Sequence, residues 1–320
     1  MSDMSVRFHL PGLRYNYPLN MLLVDLLEKE PGMFREGIEI ASMFGEFPTS
    51  RWNGGRYSGD DQCDAKFIRA VIKSVNAKKI PIRYTYTNPL LTEADLSDEY
   101  CNFCMRAADN GMNEVIVFSP VLEQYIREKY PSFQLISTTC KELRSIEEVE
   151  AELQKDYKLV VLDYNLNNRF ELLEQIHDKE RCELLVNSCC RPDCPRRGEH
   201  YRFLARQESI ALKNRKIPEG KKIPMPRWYC ECGEQVTLSK IRTYTTHISP
   251  EAVWDQYVPM GFRNFKLEGR TANLFLLVDT YVYYFAKPEY RDEVRFLLLT
   301  NLEKNKVIHV QKPKRGIWHA

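Results

Sequence analysis

The sequence predicts an α/β protein built as a closed (β/α)8 barrel of the TIM type. Eight short β-branched or aromatic runs alternate with longer segments whose apolar residues recur at three and four, the mark of repeated βα units on a parallel sheet. Eight strands suffice to close such a sheet. No Gly-rich dinucleotide fingerprint follows the first run, which disfavours an open doubly wound sheet.

The strand runs, in order, are VRFHL near Val6, GIEIA from Gly37, PIRYTYT from Pro81, EVIVFS from Glu114, FQLIST from Phe133, KLVVLDY from Lys158, CELLVN from Cys182 and FRNFKLEG from Phe262. The helices expected between them are PLNMLLVDLLEKE, DDQCDAKFIRAVIKSV, LSDEYCNFCMRAADN, VLEQYIREKY, SIEEVEAELQKD and RFELLEQIHDK. The seventh unit breaks the rhythm. About 75 residues separate CELLVN from FRNFKLEG, far more than one helix and two turns need, and loops of that length usually carry function. From Asn273 the chain reads as a closing helix, an appended helix and the polar tail KPKRGIWHA. The organisation expected is a barrel over 1–287 that includes a cysteine-rich excursion at 188–248, with a C-terminal helix and tail over 288–320.

Composition narrows the class. With 320 residues and 43% hydrophobic content the chain can bury a full core. A net charge of +2 gives no global field that implies nucleic acid or an anionic membrane, although a local basic patch is compatible with it. No apolar run reaches the roughly 20 residues that span a bilayer, and MSDMSVRFHLPG lacks the order of a signal peptide. A cytoplasmic protein with reduced thiols and no membrane partner is therefore expected.

Five of the ten cysteines fall within the excursion: Cys189, Cys190 and Cys194 in NSCCRPDCPRR, and Cys230 and Cys232 in WYCECGE. Thiolates are soft ligands that select zinc, copper(I) or iron–sulfur clusters, and loops after the strand C-termini build the active face of a barrel. Spacing favours Cys190, Cys194, Cys230 and Cys232 as the metal ligands. The C-x3-C pair can aim two thiolates from the start of a helix, CPRRGEHYRFLARQ, with Pro195 at its first position. Cys189 is the spare thiol, and Cys140 at the end of the fifth strand is the outside candidate. Four cysteines suit a 4Fe-4S cluster or a structural zinc equally, and buried thiols under a long loop are the bland alternative. Cys101 and Cys104 form C-x2-C, but on one face of a helix in apolar surroundings, so core packing explains them better.

The segment ELLVNSCCRPDCPRRGEHY, followed by HISPEAVWDQYVPMGFRNFKLEGR, resembles the collagenase-like peptidase family U-thirty-two. In that family a cysteine-bearing loop precedes a Lys–hydrophobic–Glu–Gly–Arg strand end, here Lys266 to Arg270. The resemblance, strongest from Leu159 to Arg270, implies a barrel and one of two activities. One is peptide hydrolysis. The other is oxygen-independent hydroxylation of an aromatic or nucleobase-containing substrate, RNA among them, with a cysteine-bound 4Fe-4S cluster. The family's Gly-Ser/Ala-hydrophobic-Cys stretch is replaced here by Val186-Asn187-Ser188-Cys189-Cys190.

Other candidate residues lie at strand C-terminal ends. Asp163 follows KLVVL, and Lys266 and Glu268 share one face of FKLEG while Leu267 takes the other. Lys266 can anchor an anionic substrate or close the barrel with a salt bridge, and Arg270 can clamp an anion through its planar fork. In FGEFPTSRWNGGRYSGDD, residues Arg51, Trp52, Asn53 and Arg56 can stack on and hydrogen-bond an aromatic substrate, or pack Trp52 over the barrel mouth. Tyr84 on the third strand can bring a ring to the pocket or fill a barrel layer. His200 can donate a proton, ligate zinc or sit on a helix surface, and His9 can face the pocket. No Ser-His-Asp order, HExxH or phosphate loop is present. Three functions follow: an iron–sulfur enzyme hydroxylating a ring, a metal-dependent or carboxylate-assisted peptidase using Glu268 and Asp163, and a non-catalytic partner protein ordered by its metal. The substrate is a small molecule, RNA or a peptide.

Overall fold

Eight parallel strands close in sequence order, each paired with the next and β8 with β1. The structure, a computed structural model, describes residues 5–56, 62–230, 237–269 and 273–309. The strands are β1 Val6–Pro11, β2 Ile38–Gly45, β3 Ile82–Tyr86, β4 Glu114–Val117, β5 Gln134–Ser137, β6 Leu159–Val161, β7 Cys182–Leu185 and β8 Asn264–Lys266. The helices are α1 Tyr17–Lys29, α2 Ala65–Ala77, α3 Glu99–Ala108, α4 Pro120–Lys129, α5 Ile146–Leu153, α6 Phe170–Leu173, α7 Arg197–Asn214, α8 Leu238–Ile241, α9 Pro250–Ala252, α10 Val258–Met260, α11 Leu274–Phe285 and α12 Arg291–Lys304. Among the described residues no helix is long and apolar enough to cross a membrane.

Local chemistry sets the helix starts. Asp64 and Asp98 accept from the backbone N–H groups of Phe67 and Cys101, and Ser145 and Glu148 form a reciprocal capping box on α5. In α2 the buried residues Ile68, Val71, Ile72 and Val75 form one apolar stripe against the barrel. Cys101, Cys104, Met105 and Ala108 do the same in α3, so the C-x2-C pair is core. RFELLEQIHDK forms only the single turn α6. Lys179 Nζ takes the carbonyls of Glu174 and Ile176, and Asp178 caps a separate 3-10 turn, so the chain bends into β7 early. The excursion helix α7 begins at Arg197, leaving Pro195 before its cap. Strand β2 runs on to Gly45, past the expected GIEIA, and β8 is confined to three residues.

Alternation along the strands divides the barrel interior. Phe44, Ile116, Ile136, Leu159 and Val161 form a separate apolar cluster. His9, Ser42, Arg83, Glu183 and Lys266 are buried as well, with Lys266 4.3 Å from the Phe44 ring centre. Outside, α11 is apolar on nearly every face and lies between the barrel and α12. Its Tyr284 hydroxyl donates to the Ile248 carbonyl at 2.8 Å, and Tyr281 donates to Asn20 Oδ1 of α1 at 2.6 Å. Helix α12 buries Val294, Leu298 and Leu302 against this layer, so it belongs to the same core as the barrel. Leu298→Ala is expected to cost about 2–5 kcal/mol in urea denaturation as one cooperative transition. A separate early transition would show instead that α12 folds apart from the barrel.

Candidate functional site

The β7–β8 excursion covers the C-terminal mouth of the barrel, where Cys190, Arg191, Cys194, Arg196, Arg197, His200, Trp228 and Cys230 line one cleft. Its geometry starts at Arg197, the first residue of α7. The guanidinium is 2% exposed and uses every nitrogen: Nη1 donates to Asp163 Oδ2 at 2.5 Å, Nη2 to the Thr139 carbonyl and hydroxyl at 2.8 Å, and Nε to the Tyr201 hydroxyl at 2.8 Å. Its face lies 4.2 Å from the centre of the Tyr164 ring. Burial opposes its charge, but Tyr201 and Asp163 together raise its affinity for the proton. The ends of β5 and β6 are thereby tied to α7.

The far side of the cleft is built by a return strap. Beyond α7 the chain doubles back along the helix. Asn214 exchanges two hydrogen bonds with the backbone of Ile223 at 2.8 Å, Gln207 Nε2 donates to the Pro226 carbonyl at 2.7 Å, and His200 stacks on Trp228 with ring centres 4.9 Å apart. These three helix residues are seven apart, two turns each, and so share one face. Arg196 also packs on the Trp228 ring, at 4.1 Å, and donates to the Tyr229 carbonyl. The strap thereby carries Cys230 back to the start of the helix, beside Cys190 and Cys194. Cys232, the fourth expected ligand, lies outside the described residues. Among the described residues, no three His, Cys, Asp or Glu side chains are drawn together closely enough to hold a metal ion.

Cys189 does not line the cleft. Its backbone N–H donates to Glu268 Oε2 at 2.7 Å, and burial, reinforced by the Glu268 charge, pushes its thiol far above the ordinary value. Glu268 is half-buried, and its backbone is clasped by Asn187, which accepts from its N–H at 2.6 Å and donates to its carbonyl at 3.1 Å. The Tyr164 hydroxyl is buried beside Cys190 and has no well-formed hydrogen bond. Burial, then the Arg56 and Arg196 guanidiniums, lower the His200 pKa to about 4, so its ring is neutral at pH 7.

The remaining expected residues take other places. Lys266 points into the barrel, 3.2 Å from Glu183 and 4.3 Å from the Phe44 ring centre, and Glu268 on the same face points to the cysteine loop. Arg51 pairs with Asp95 at 2.7 Å and donates to Ser209 of α7 at 2.8 Å. Asn53 donates to the buried Glu46 at 2.7 Å. Trp52 is fully buried against Tyr86 and Tyr125, with its indole N–H on the Asp95 carbonyl, so it stacks within the protein and offers no free face. Tyr84 faces outward and donates to the Cys104 carbonyl at 2.9 Å, because the strand pleat assigns the inward places to Arg83 and Thr85. Both rings thus lie in the layer between strands and helices. Arg270 is outside the described residues.

One polar network escaped the sequence reading. Glu183 is fully buried and bonds to Arg83, with His9 Nε2 at 3.3 Å. Arg83 reaches Glu114 at 2.7 Å, and Glu114 meets Lys158 at 2.5 Å. His9 Nδ1 lies 2.8 Å from the Ser42 hydroxyl. Burial opposes the Glu183 charge, yet Arg83, Lys266 and His9 hold its carboxyl well below the usual range. Burial and then Arg83 lower the His9 pKa to about 3. The available signal was a charged residue inside each β-branched run, in PIRYTYT, EVIVFS and CELLVN.

No protein-family model and no curated protein matches the sequence. The backbone is similar to the structure of the U32 peptidase Mk0906, with a TM-score of 0.50 and 11% identity, over 85% of this chain and 96% of that one. The barrel has the fold of a U32 peptidase. The likeness spans nearly the whole length of that protein.

Removing Arg197 by Arg197→Ala is expected to cost about 3–5 kcal/mol, because Asp163 is left buried and charged without its partner. Arg197→Lys recovers only part of this, since a point charge cannot make the fork's contacts. Equal stability of wild type and Arg197→Lys in denaturant titrations would refute this. The pH dependence has a definite sign. Unfolded His9 takes up a proton near its ordinary value of 6.5 and folded His9 only near about 3, so the unfolded state binds the extra proton between these values. Its contribution to stability is complete above pH 6.5 and falls on acidification, by about 1.4 kcal/mol per pH unit for one proton. His9→Gln should reduce the slope of stability against pH between 4 and 6 by about that amount. An unchanged slope would contradict this assignment.

Proposed function

We propose that the protein is a barrel enzyme built around a thiolate-bound metal centre, a 4Fe-4S cluster with zinc as the alternative, and that it hydroxylates an aromatic or nucleobase ring. The observation that supports this most is that Cys190, Cys194 and Cys230 line one cleft at the barrel mouth, although an 18-residue helix and its return strap separate the last from the others. Folding a long segment out and back to return a thiol to its starting point is costly in conformational entropy if the thiol is idle. Cys190, Cys194 and Cys230 fit such a group in donor type and line one cleft, although they are not drawn together closely enough to enclose a metal, and Cys232 is the fourth holder proposed. A bound cluster supplies one-electron chemistry that no side chain offers.

The chain's own residues do the rest. Trp228 and His200 present stacked rings at the cleft, Arg191 and Arg196 give it positive charge, and neutral His200 can accept or deliver a proton at its ring nitrogen. The Asp163–Arg197 pair holds the helix that carries these groups and thus acts by positioning. A peptidase acting through Glu268 and Asp163 has less support. Both Asp163 oxygens are committed, to Arg197 and to Asn165, which leaves Glu268 as the carboxylate for polarising water.

Protein purified without oxygen should be brown, contain roughly four irons with matching acid-labile sulfide, and lose both in Cys194→Ser and Cys230→Ser, while Cys101→Ser keeps them. Stoichiometric zinc in place of iron would move the assignment to the zinc alternative. Metal-free wild-type protein after anaerobic reconstitution with iron and sulfide would overturn the proposal.

A further inference from the structure

One hydroxyl beside the cleft is left out of the network that holds its neighbours. Tyr164 opens the 3-10 turn Tyr164–Leu166 just beyond β6 and is 2% exposed. Asp163 before it bonds to Arg197 and Asn165, and Asn165 Oδ1 accepts from the backbone N–H of Asp193 at 2.9 Å, so the loop from Cys190 to Cys194 is clasped onto this turn. The Tyr164 ring is held in place. Its face lies 4.2 Å from the Arg197 guanidinium carbon, and its backbone carbonyl accepts from the Asn167 N–H at 3.1 Å. The hydroxyl is thereby kept close to the Cys190 thiol, without a well-formed hydrogen bond to any of the described residues. A buried hydroxyl in that condition is costly, and phenylalanine would fill the same space without the cost. The oxygen therefore needs a reason. A neutral thiol is only a weak acceptor, whereas a metal-bound thiolate has lost its proton and accepts strong, charge-assisted hydrogen bonds. A phenol keeps its proton at neutral pH and can donate it to such a sulfur.

We infer that Tyr164 is a positioning residue for the thiolate centre, its hydroxyl donating to the Cys190 sulfur when a metal is bound there. The inference rests on the centre proposed above and adds to it a residue that is not itself a ligand. Outer hydrogen bonds of this kind orient a ligand, strengthen metal binding and stabilise the more negative state of the metal. Here the bond would also join the centre to the barrel. Arg197 packs on the Tyr164 face and pairs with Asp163, so the donor, the end of β6 and the start of α7 are held as one unit. A purely structural role for the hydroxyl, such as holding a buried water, would leave it indifferent to metal.

The test compares the full wild-type chain with Tyr164→Phe, which keeps the ring and removes only the oxygen. Circular dichroism checks that both are folded. Metal retention is followed by competition with a chelator, on the zinc-loaded protein or on the anaerobically reconstituted iron–sulfur form, whichever the wild type takes up. The variant should hold its metal about 10- to 100-fold less tightly. In the iron–sulfur form its reduction potential should also fall below that of wild type, because the lost hydrogen bond favoured the reduced state. Without metal the pattern changes sign. After metal removal, urea denaturation should give the two proteins the same midpoint, or the variant the higher one, since it has shed an unsatisfied group. A variant destabilised equally with and without metal would reveal a structural role and overturn the inference. Equal metal retention in the two proteins would overturn it as well, while leaving the thiolate centre intact. Wild type that takes up neither iron nor zinc removes the centre itself and this inference with it.

Discussion

A single buried guanidinium holds the excursion to the barrel. Arg197 is joined to the ends of β5 and β6 through Thr139 and Asp163, and to its own helix through Tyr201, so the origin and direction of α7 are fixed together. Buried charges persist only where pairing and hydrogen bonding are complete, and the planar fork satisfies both conditions at once. Cys194 lies three residues before this anchor and His200 three after it, so the cleft takes its shape from the same contact. Without it, α7 would meet the barrel mainly through small residues such as Ala205 and Ala211 and through Glu208, which accepts from the backbone N–H of Ser50.

The loop after β2 supports the helix from the other side. Gly55, at φ +95°, comes so close to the Leu204 carbonyl that a Cβ would sit 2.4 Å from its oxygen. Arg51 reaches Ser209 on the same helix. Arg51 therefore braces α7 and Arg56 acts on His200 by its charge, while Asn53 is held on Glu46 and Trp52 anchors their loop in the core. This is consistent with loops that carry function resting on a rigid scaffold.

Beneath the mouth, the barrel interior is half polar. Glu183 is surrounded by Arg83, His9 and Lys266, and Arg83 passes the charge on to Glu114 and Lys158. Such a network seldom stabilises a protein more than an apolar filling would. It does orient Lys266, which also packs on the Phe44 ring of the apolar cluster, and it holds His9 neutral.

The sequence by itself determined the barrel, the excursion after the seventh strand and the group of thiols within it, because hydrophobic period, loop length and cysteine spacing are local properties. Helix caps such as Asp64 and Ser145 are local as well. The pleat of β3 was decided by tertiary structure: Arg83 and Thr85 face inward only because Glu183, Glu114 and Glu46 await them, and Tyr84 is turned outward in consequence. The partners of Arg83 lie 31 and 100 residues away and that of Arg197 34 away, separations at which no spacing rule operates. Burial and charge pairing are properties of the closed barrel, and only closure brings these residues within reach of one another.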